Sequence, residues 1–112
     1  MELKVEDANG IKIYSLSVEH IDAGNYEEVE QLFMGEFDSS GEAVLDLENV
    51  EFIDSSGIGV ILYCIRQLDQ QGRELRIANT NETIRSAFKL IRIDRLARIC
   101  GSRSEAIDDI KT

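Results

Sequence analysis

Two hydrophobic periods alternate along this chain. In some stretches every second residue is apolar, which predicts strands, and in others apolar residues recur every three to four positions, which predicts helices. Strands are predicted over residues 3–5, 11–18, 43–47, 50–53, 75–78 and 96–100. Helices are predicted from Asn25 to the Ser39-Ser40-Gly41 break, over residues 56–70, from Thr80 or Asn81 to Leu90, and over residues 104–111.

The order of these elements predicts an α/β domain with a single mixed sheet of four to five strands. Asn9-Gly10 lies between the first two strands and is the strongest short hairpin signal, so the sheet is expected to start antiparallel. Later strands alternate with helices and are expected to be parallel. Leu45 and Leu47 flank a polar residue, a pattern typical of a sheet covered on one face. We therefore expect the helices to pack on one face of the sheet.

Composition restricts the class of protein. The chain has 112 residues, 43% of them hydrophobic, and we expect one domain over residues 1–112. Its formal charge of -10 repels nucleic acid and anionic lipid, so a protein or ligand with a basic surface is the better partner. The longest apolar run, residues 58–65, is too short to span a membrane, and the amino terminus lacks the order of a signal peptide.

The two cysteines, Cys64 and Cys100, lie in apolar surroundings without metal-ligand spacing. We expect buried, reduced thiols in a cytoplasmic protein, since disulfides are rare in that compartment. No metal or other cofactor is predicted from the residues present.

The most informative stretch runs from Asp54 to Gly59, Asp-Ser-Ser-Gly-Ile-Gly, where an apolar strand passes into the longest predicted helix. Ser55 is expected to open that helix and cap it. A phosphate on Ser55 would then lie at the positive end of the helix dipole. A plainer interpretation is an ordinary helix start, since Asp and Ser are favoured caps and glycine permits a tight turn.

Two further interpretations of the same stretch lack necessary residues. A serine nucleophile would need a Gly-x-Ser-x-Gly elbow and a base, and the only histidine is His20. A nucleotide loop would need a third glycine and a lysine besides Gly57 and Gly59. The sequence therefore predicts a protein that is not an enzyme.

The helix that follows this stretch is apolar on two sides. One side should pack on the sheet and comprises Ile58, Ile61, Leu62, Ile65 and Leu68. The other comprises Val60, Tyr63, Cys64 and Gln67, and is either wedged against a neighbouring helix or exposed to a partner. In the second case Val60 and Tyr63 would belong to a partner-binding surface that begins at Ser55.

Residues 44–47 and 52–62 together resemble the signature of STAS-domain anti-sigma factor antagonists, and the likeness extends more loosely to the element order and the chain length. The resemblance implies that Ser55 accepts a phosphoryl group from an anti-sigma factor that is also a serine kinase of the histidine-kinase-like ATPase type. It implies that a serine phosphatase removes the group. The unphosphorylated form would bind the anti-sigma factor and free a sigma factor, and the phosphorylated form would be released.

The resemblance also assigns roles to neighbouring residues. Asp54 matches the acid before the acceptor, and Ser56 matches the hydroxyl position after it. Gly57 and Gly59 match the close-packed start of the helix, and Asp22 matches an acid that family members present beside the switch. The implied fold is a sheet of four or five strands with helices on one side.

This chain departs from the family pattern at two places, where Glu19 replaces a glycine and Ile91-Arg92 replaces a small residue followed by glycine. Similar domains also serve without a phosphorylation cycle as accessory subunits of membrane lipid- or anion-transport assemblies. That role is the alternative function that the resemblance implies.

Overall fold

The computed structural model describes residues 1–37 and 41–111. Its strands are β1 (Glu2–Ala8), β2 (Ile11–Ser17), β3 (His20–Ile21), β4 (Glu42–Asp46), β5 (Phe52–Ile53), β6 (Leu75–Ala78) and β7 (Arg98–Cys100). Its helices are α1 (Tyr26–Phe33), α2 (Ser55–Asp69), α3 (Glu82–Leu90) and α4 (Arg103–Lys111), with a 3-10 turn over Ile93–Arg95 between α3 and β7.

The main sheet has five strands in the order β1-β2-β4-β6-β7. β1 and β2 are antiparallel, and the other neighbours are parallel. Asn9 and Gly10 both have positive φ angles, 56° and 88°, as a two-residue hairpin turn requires. The predicted mixed sheet is confirmed. β5 is not part of it, because β5 pairs with β3 in a separate two-stranded parallel sheet.

Helices α1, α2 and α3 cover one face of the main sheet, as predicted. The sheet contributes a buried apolar layer that comprises Tyr14, Leu16, Ala43, Leu45, Leu47, Leu75 and Ile77. The three helices contribute Val29, Phe33, Val60, Ile61, Cys64, Ile65, Leu68, Ile84 and Phe88. This apolar core fixes α2, and with it the start of α2, against the sheet.

Helix α4 lies on the opposite face of the sheet, so the expectation that every helix packs on one face is corrected for this element. Its residues pack with a second cluster that comprises Ile11, Ile13, Val44, Ala78, Cys100, Ala106, Ile107 and Ile110. Ile13 and Tyr14, and likewise Val44 and Leu45, are adjacent residues buried on opposite faces. Alternate apolar positions had indicated one covered face, whereas β2 and β4 are covered on both.

Two further predictions can be compared with these elements. α1 ends at Phe33, earlier than predicted, and Phe37 is buried in the turn that follows; Ser39 and Ser40 lie outside the described residues. Cys64 and Cys100 belong to different apolar clusters on opposite faces of the sheet, and both thiols are free. Among the described residues, no helix combines the length and the hydropathy needed to cross a membrane.

Candidate functional site

The cap of helix α2 is Asp54, and Ser55 is the first helical residue. The Asp54 Oδ1 atom accepts hydrogen bonds from the backbone N–H groups of Ser56 (2.8 Å) and Gly57 (3.0 Å). The Asp54 carbonyl accepts the next bond, from the Ile58 N–H. The capping role expected of Ser55 therefore belongs to Asp54, and the Ser55 hydroxyl is left exposed without a capping bond.

Gly57 brings the start of α2 into direct contact with β3. A Cβ atom at Gly57 would overlap the Ile21 carbonyl oxygen and would lie 2.6 Å from the Ile53 Cγ2 atom. Only glycine permits this approach, and Gly57 is itself buried. The predicted close-packed helix start is therefore observed, but Gly57 supports the site from below and is not part of an accessible surface.

The loop after β3 is tied to the same helix start. The second carboxylate oxygen of Asp54 accepts a hydrogen bond from the Ala23 N–H at 3.1 Å. Asp22 accepts a bond from the Gly24 N–H at 2.9 Å and lies 3.5 Å from the His20 Nε2 atom. The structure thus places the Asp22 loop beside Asp54, as the resemblance implied, and the surroundings of the site carry two carboxylates.

An exposed surface extends from Ser55 along one side of α2. Gly59 lies one turn further along the helix, is exposed, and has no atom within 4 Å of the position where a Cβ would lie. Gly59 therefore has no packing role within the described part of the chain, although glycine within a helix is unfavourable relative to alanine. A helix surface without a side chain at this point permits another backbone to approach closely.

Phe52 belongs to the same region and was not predicted as a site residue. Its side chain is 53% exposed, in the strand that leads into Asp54. Exposed aromatic side chains next to a small-residue surface are typical of protein interfaces. No local pattern signals this exposure, because Phe52 stands within an apolar segment and only the pairing of β5 with β3 turns it outward.

The predicted partner-binding residues on the second side of α2 are placed differently. Val60 is only 1% exposed and belongs to the core, so it cannot contact a partner directly. Tyr63 is partly buried, and this burial raises the pKa of its hydroxyl. α1 packs against α2, so the wedged interpretation of this side is confirmed.

The chemistry available here is that of an exposed hydroxyl. Asp54 already occupies the N–H groups of Ser56, Gly57 and Ile58, so few donors of the first turn remain for a phosphate on Ser55. The added charge would stay at the surface beside the carboxylate of Asp54. No group of three or more His, Cys, Asp or Glu side chains in residues 1–37 and 41–111 is arranged to hold a metal ion.

These features define a class of small α/β binding domain that presents a hydroxyl at a helix start beside acidic residues. The STAS domain family model matches residues 2–106, and the chain belongs to this family. A Thermotoga maritima protein assigned as an anti-sigma factor antagonist is 30% identical over 60% of this chain and 59% of that protein. The anti-sigma-B factor antagonist of Staphylococcus aureus is 26% identical over 88% of this chain and 94% of that protein.

Solved structures share the fold at lower identity. An anti-sigma-factor antagonist (STAS) domain protein of Planctomyces limnophilus covers the whole of both chains with a TM-score of 0.89 and 15% identity. The Bacillus cell fate determinant SpoIIAA in its phosphorylated form gives a TM-score of 0.67 and 20% identity over 96% of this chain and 98% of that one. The murine anion transporter Slc26a9 gives a TM-score of 0.76 and 16% identity. The match covers 91% of this chain but 18% of the transporter chain.

Proposed function

We propose that this chain is an anti-sigma factor antagonist that docks through the start of α2 and is released when Ser55 is phosphorylated. The observation that carries the proposal is the exposed Ser55 hydroxyl at the first position of a helix capped by its neighbour Asp54. The names of the relatives and the existence of a phosphorylated SpoIIAA support the same role. The docking surface comprises Phe52, Ser55, Ser56 and Gly59, with Asp22 at its border.

The physical basis of release is a change of charge at the Ser55 side chain. A phosphoserine carries about -1.5 to -2 charge at pH 7, whereas the hydroxyl is neutral. Because Asp54 has taken the nearby N–H groups, the phosphate has little internal compensation and presents its charge to the partner. A buried, unpaired charge costs about 3–5 kcal/mol, and a tenfold loss of affinity needs only about 1.4 kcal/mol.

The proposed partners follow from this cycle. The anti-sigma factor would be a serine kinase of the histidine-kinase-like ATPase type that transfers the γ-phosphoryl group of ATP to the Ser55 oxygen, and the hydroxyl proton would be lost to a base of the kinase. A serine phosphatase would transfer the phosphoryl group to water and restore the hydroxyl. Binding of the unphosphorylated chain would occupy the anti-sigma factor and free a sigma factor in the cytoplasm.

The test is a pull-down from the source cells with four forms of the chain, followed by identification of the retained proteins by mass spectrometry. Wild type and Ser55→Ala should retain an ATPase kinase, and Ser55→Asp should retain at least tenfold less. Ser104→Asp is the matched control, since it makes the same substitution on the exposed surface of α4, across the sheet from α2, and it should retain the kinase as the wild type does. Phosphopeptide mapping should place the phosphate on Ser55, and a phosphate on Ser56 or on neither serine would refute the proposal.

A second candidate function is an accessory role in a membrane transport assembly. The fold match to a domain that makes up 18% of Slc26a9 favours it. In that case the protein retained in the pull-down would be a transporter subunit, and Ser55→Asp and Ser55→Ala would differ little. Neighbouring genes also separate the candidates, since kinase and phosphatase genes favour the first and transporter genes the second.

A further inference from the structure

The charge of this chain is distributed unevenly. Residues 85–98 contain five of the 12 cationic residues and one of the 22 acidic residues. This segment therefore has a net charge of +4, and the rest of the chain has -14. It corresponds to α3, the 3-10 turn and the start of β7, a part of the fold separate from the first turn of α2.

The same segment exposes large apolar side chains. Leu90 is 83% exposed, Ile91 48% and Leu96 53%. Ile93 and Ala97 are buried between them and hold the turn on the domain. The fold buries three apolar residues of the segment, Phe88, Ile93 and Ala97, and directs three others into solvent, a pattern typical of an interaction surface.

Beside this turn lies a groove of about 540 Å³ between the carboxyl-terminal half of α2 and the 3-10 turn. Its apolar wall comprises Leu62, Ile65 and Leu96. Arg66 and Arg95 lie at its border, and the carboxylates of Asp69 and Glu74 also line it. We call this feature the α2/3-10 groove.

Two of the arginines that line the α2/3-10 groove are not paired with a carboxylate within the described residues. Arg76, Arg98 and Arg103 each pair with carboxylates, and one partner of Arg98 is Glu74 at the border of the groove. Arg66 and Arg95, in contrast, have no carboxylate partner among residues 1–37 and 41–111. The chain has nearly two acidic residues for each basic one, so unpaired arginines are not a result of scarce carboxylates.

Backbone conformation at the turn ends helix α3. Arg92 has a φ angle of 65°, in the left-handed region that favours glycine. An arginine in that conformation is energetically unfavourable, and its contact with Asp94 at 3.5 Å is a solvent-exposed pair of small value. Arg92 directly follows Ile91, the C-cap of α3, and a left-handed residue at that position is a common way for a helix to end.

From this combination we propose that the α2/3-10 groove binds an acidic amphipathic segment of a partner protein. The apolar side chains of the segment would contact Leu62 and Leu96, and its carboxylates would pair with Arg66 and Arg95. Charge complementarity selects an anionic occupant, and the concave groove selects a protein segment over a flat lipid surface. The site does not depend on Ser55.

The test uses the isotope-labelled full chain and a synthetic 16-residue peptide with Leu at every third or fourth position and Glu elsewhere. In an NMR titration, the amide signals of Leu62, Arg66 and Leu96 should shift and saturate. The same peptide with Lys in place of Glu should cause no such shifts. Arg95→Glu should weaken binding at least tenfold, whereas Lys4→Glu, an equal charge change on β1, should change affinity less than twofold.

Three results would overturn the inference. One is the absence of shifts at millimolar acidic peptide, and another is equal binding of the Lys peptide. The third is a chain that does not bind the peptide but binds phosphatidylglycerol vesicles. A chain that does not bind the peptide but forms a dimer at high concentration, with Arg95→Glu blocking the dimer, counts equally against the inference. Ser55→Asp should bind the acidic peptide as the wild type does, so failure here is distinguishable from failure of the proposed switch.

Discussion

The two faces of the main sheet are closed by different interactions. The face under α1, α2 and α3 is closed by apolar side chains and includes the tilted ring contacts of Tyr14 with Phe33 and Phe37. The face under α4 has a smaller apolar cluster and a network of charges around Asp46, which is only 2% exposed. Arg103, the first residue of α4, donates hydrogen bonds to Asp46, Glu6 and Ser15.

This difference separates the stability of the site from that of the last helix. Apolar burial depends little on pH and ionic strength, so the packing of α2 on the sheet is insensitive to both. The charged network loses stability when a carboxylate is protonated, and its exposed members are screened by salt. The α4 face is therefore expected to respond to solution conditions that leave the packing of α2 on the sheet unchanged.

The largest effect is expected from removing the buried carboxylate of the charged face. Asp46→Ala should lower the free energy of unfolding by about 2–4 kcal/mol, because Arg103 then loses its buried partner and keeps Glu6 and Ser15 only. Urea unfolding followed by circular dichroism measures it. The double variant Asp46→Ala, Arg103→Ala should lose less stability than the sum of the two single-variant losses, and a loss equal to that sum would contradict the assignment.

A pair of glycine variants tests the apolar face and the site together. Gly57→Ala should lower the free energy of unfolding by about 1–3 kcal/mol, since its Cβ would overlap the Ile21 carbonyl. Gly59→Ala should raise it by about 0.5–1 kcal/mol, because the added methyl meets open space. The same Gly59→Ala variant should bind the partner more weakly, and unchanged binding would remove Gly59 from the docking surface.

An effect of pH is expected on the charged face. The hydrogen bond from Arg103 lowers the pKa of Glu6 below its ordinary value of 4.5. A lowered pKa in the folded state means that the contribution is present above pH 4.5 and is lost as the pH falls through the folded value. Thermal unfolding midpoints should therefore fall less steeply below pH 4.5 in Glu6→Gln than in wild type. Glu2→Gln, on the same strand, should behave as wild type.

The smallest expected effect concerns one thiol on each face. Burial raises the pKa of the Cys64 thiol and also that of the Cys100 thiol, which is only partly buried. At pH 8 a disulfide reagent should modify Cys100 more slowly than a free cysteine and should leave Cys64 unmodified until the chain unfolds. Rapid modification of Cys64 in the folded chain would show that α2 opens more readily than its packing indicates.

Most of the fold could be predicted from the sequence because the patterns that indicate its elements are local. The Asn9-Gly10 turn, the helical spacing of α2 and the strand over Leu75–Ala78 each depend on residues close in the chain. The position of α4 was not accessible, since alternate apolar residues indicate a covered face without indicating how many faces are covered. Val60 was predicted at a partner surface for the same reason, as periodicity cannot separate a core neighbour from a partner.

The sequence by itself determined the element order, the family resemblance and the candidate hydroxyl of Ser55, because each depends on residue types at fixed spacing. Tertiary structure alone decided that Asp54 accepts a hydrogen bond from Ala23, that Gly57 lies against Ile21, and that Arg66 and Leu96 border one groove. Those relations join residues distant in sequence through burial and hydrogen bonding. Burial and long-range hydrogen bonds are properties of the packed chain, and no local pattern of side chains specifies them.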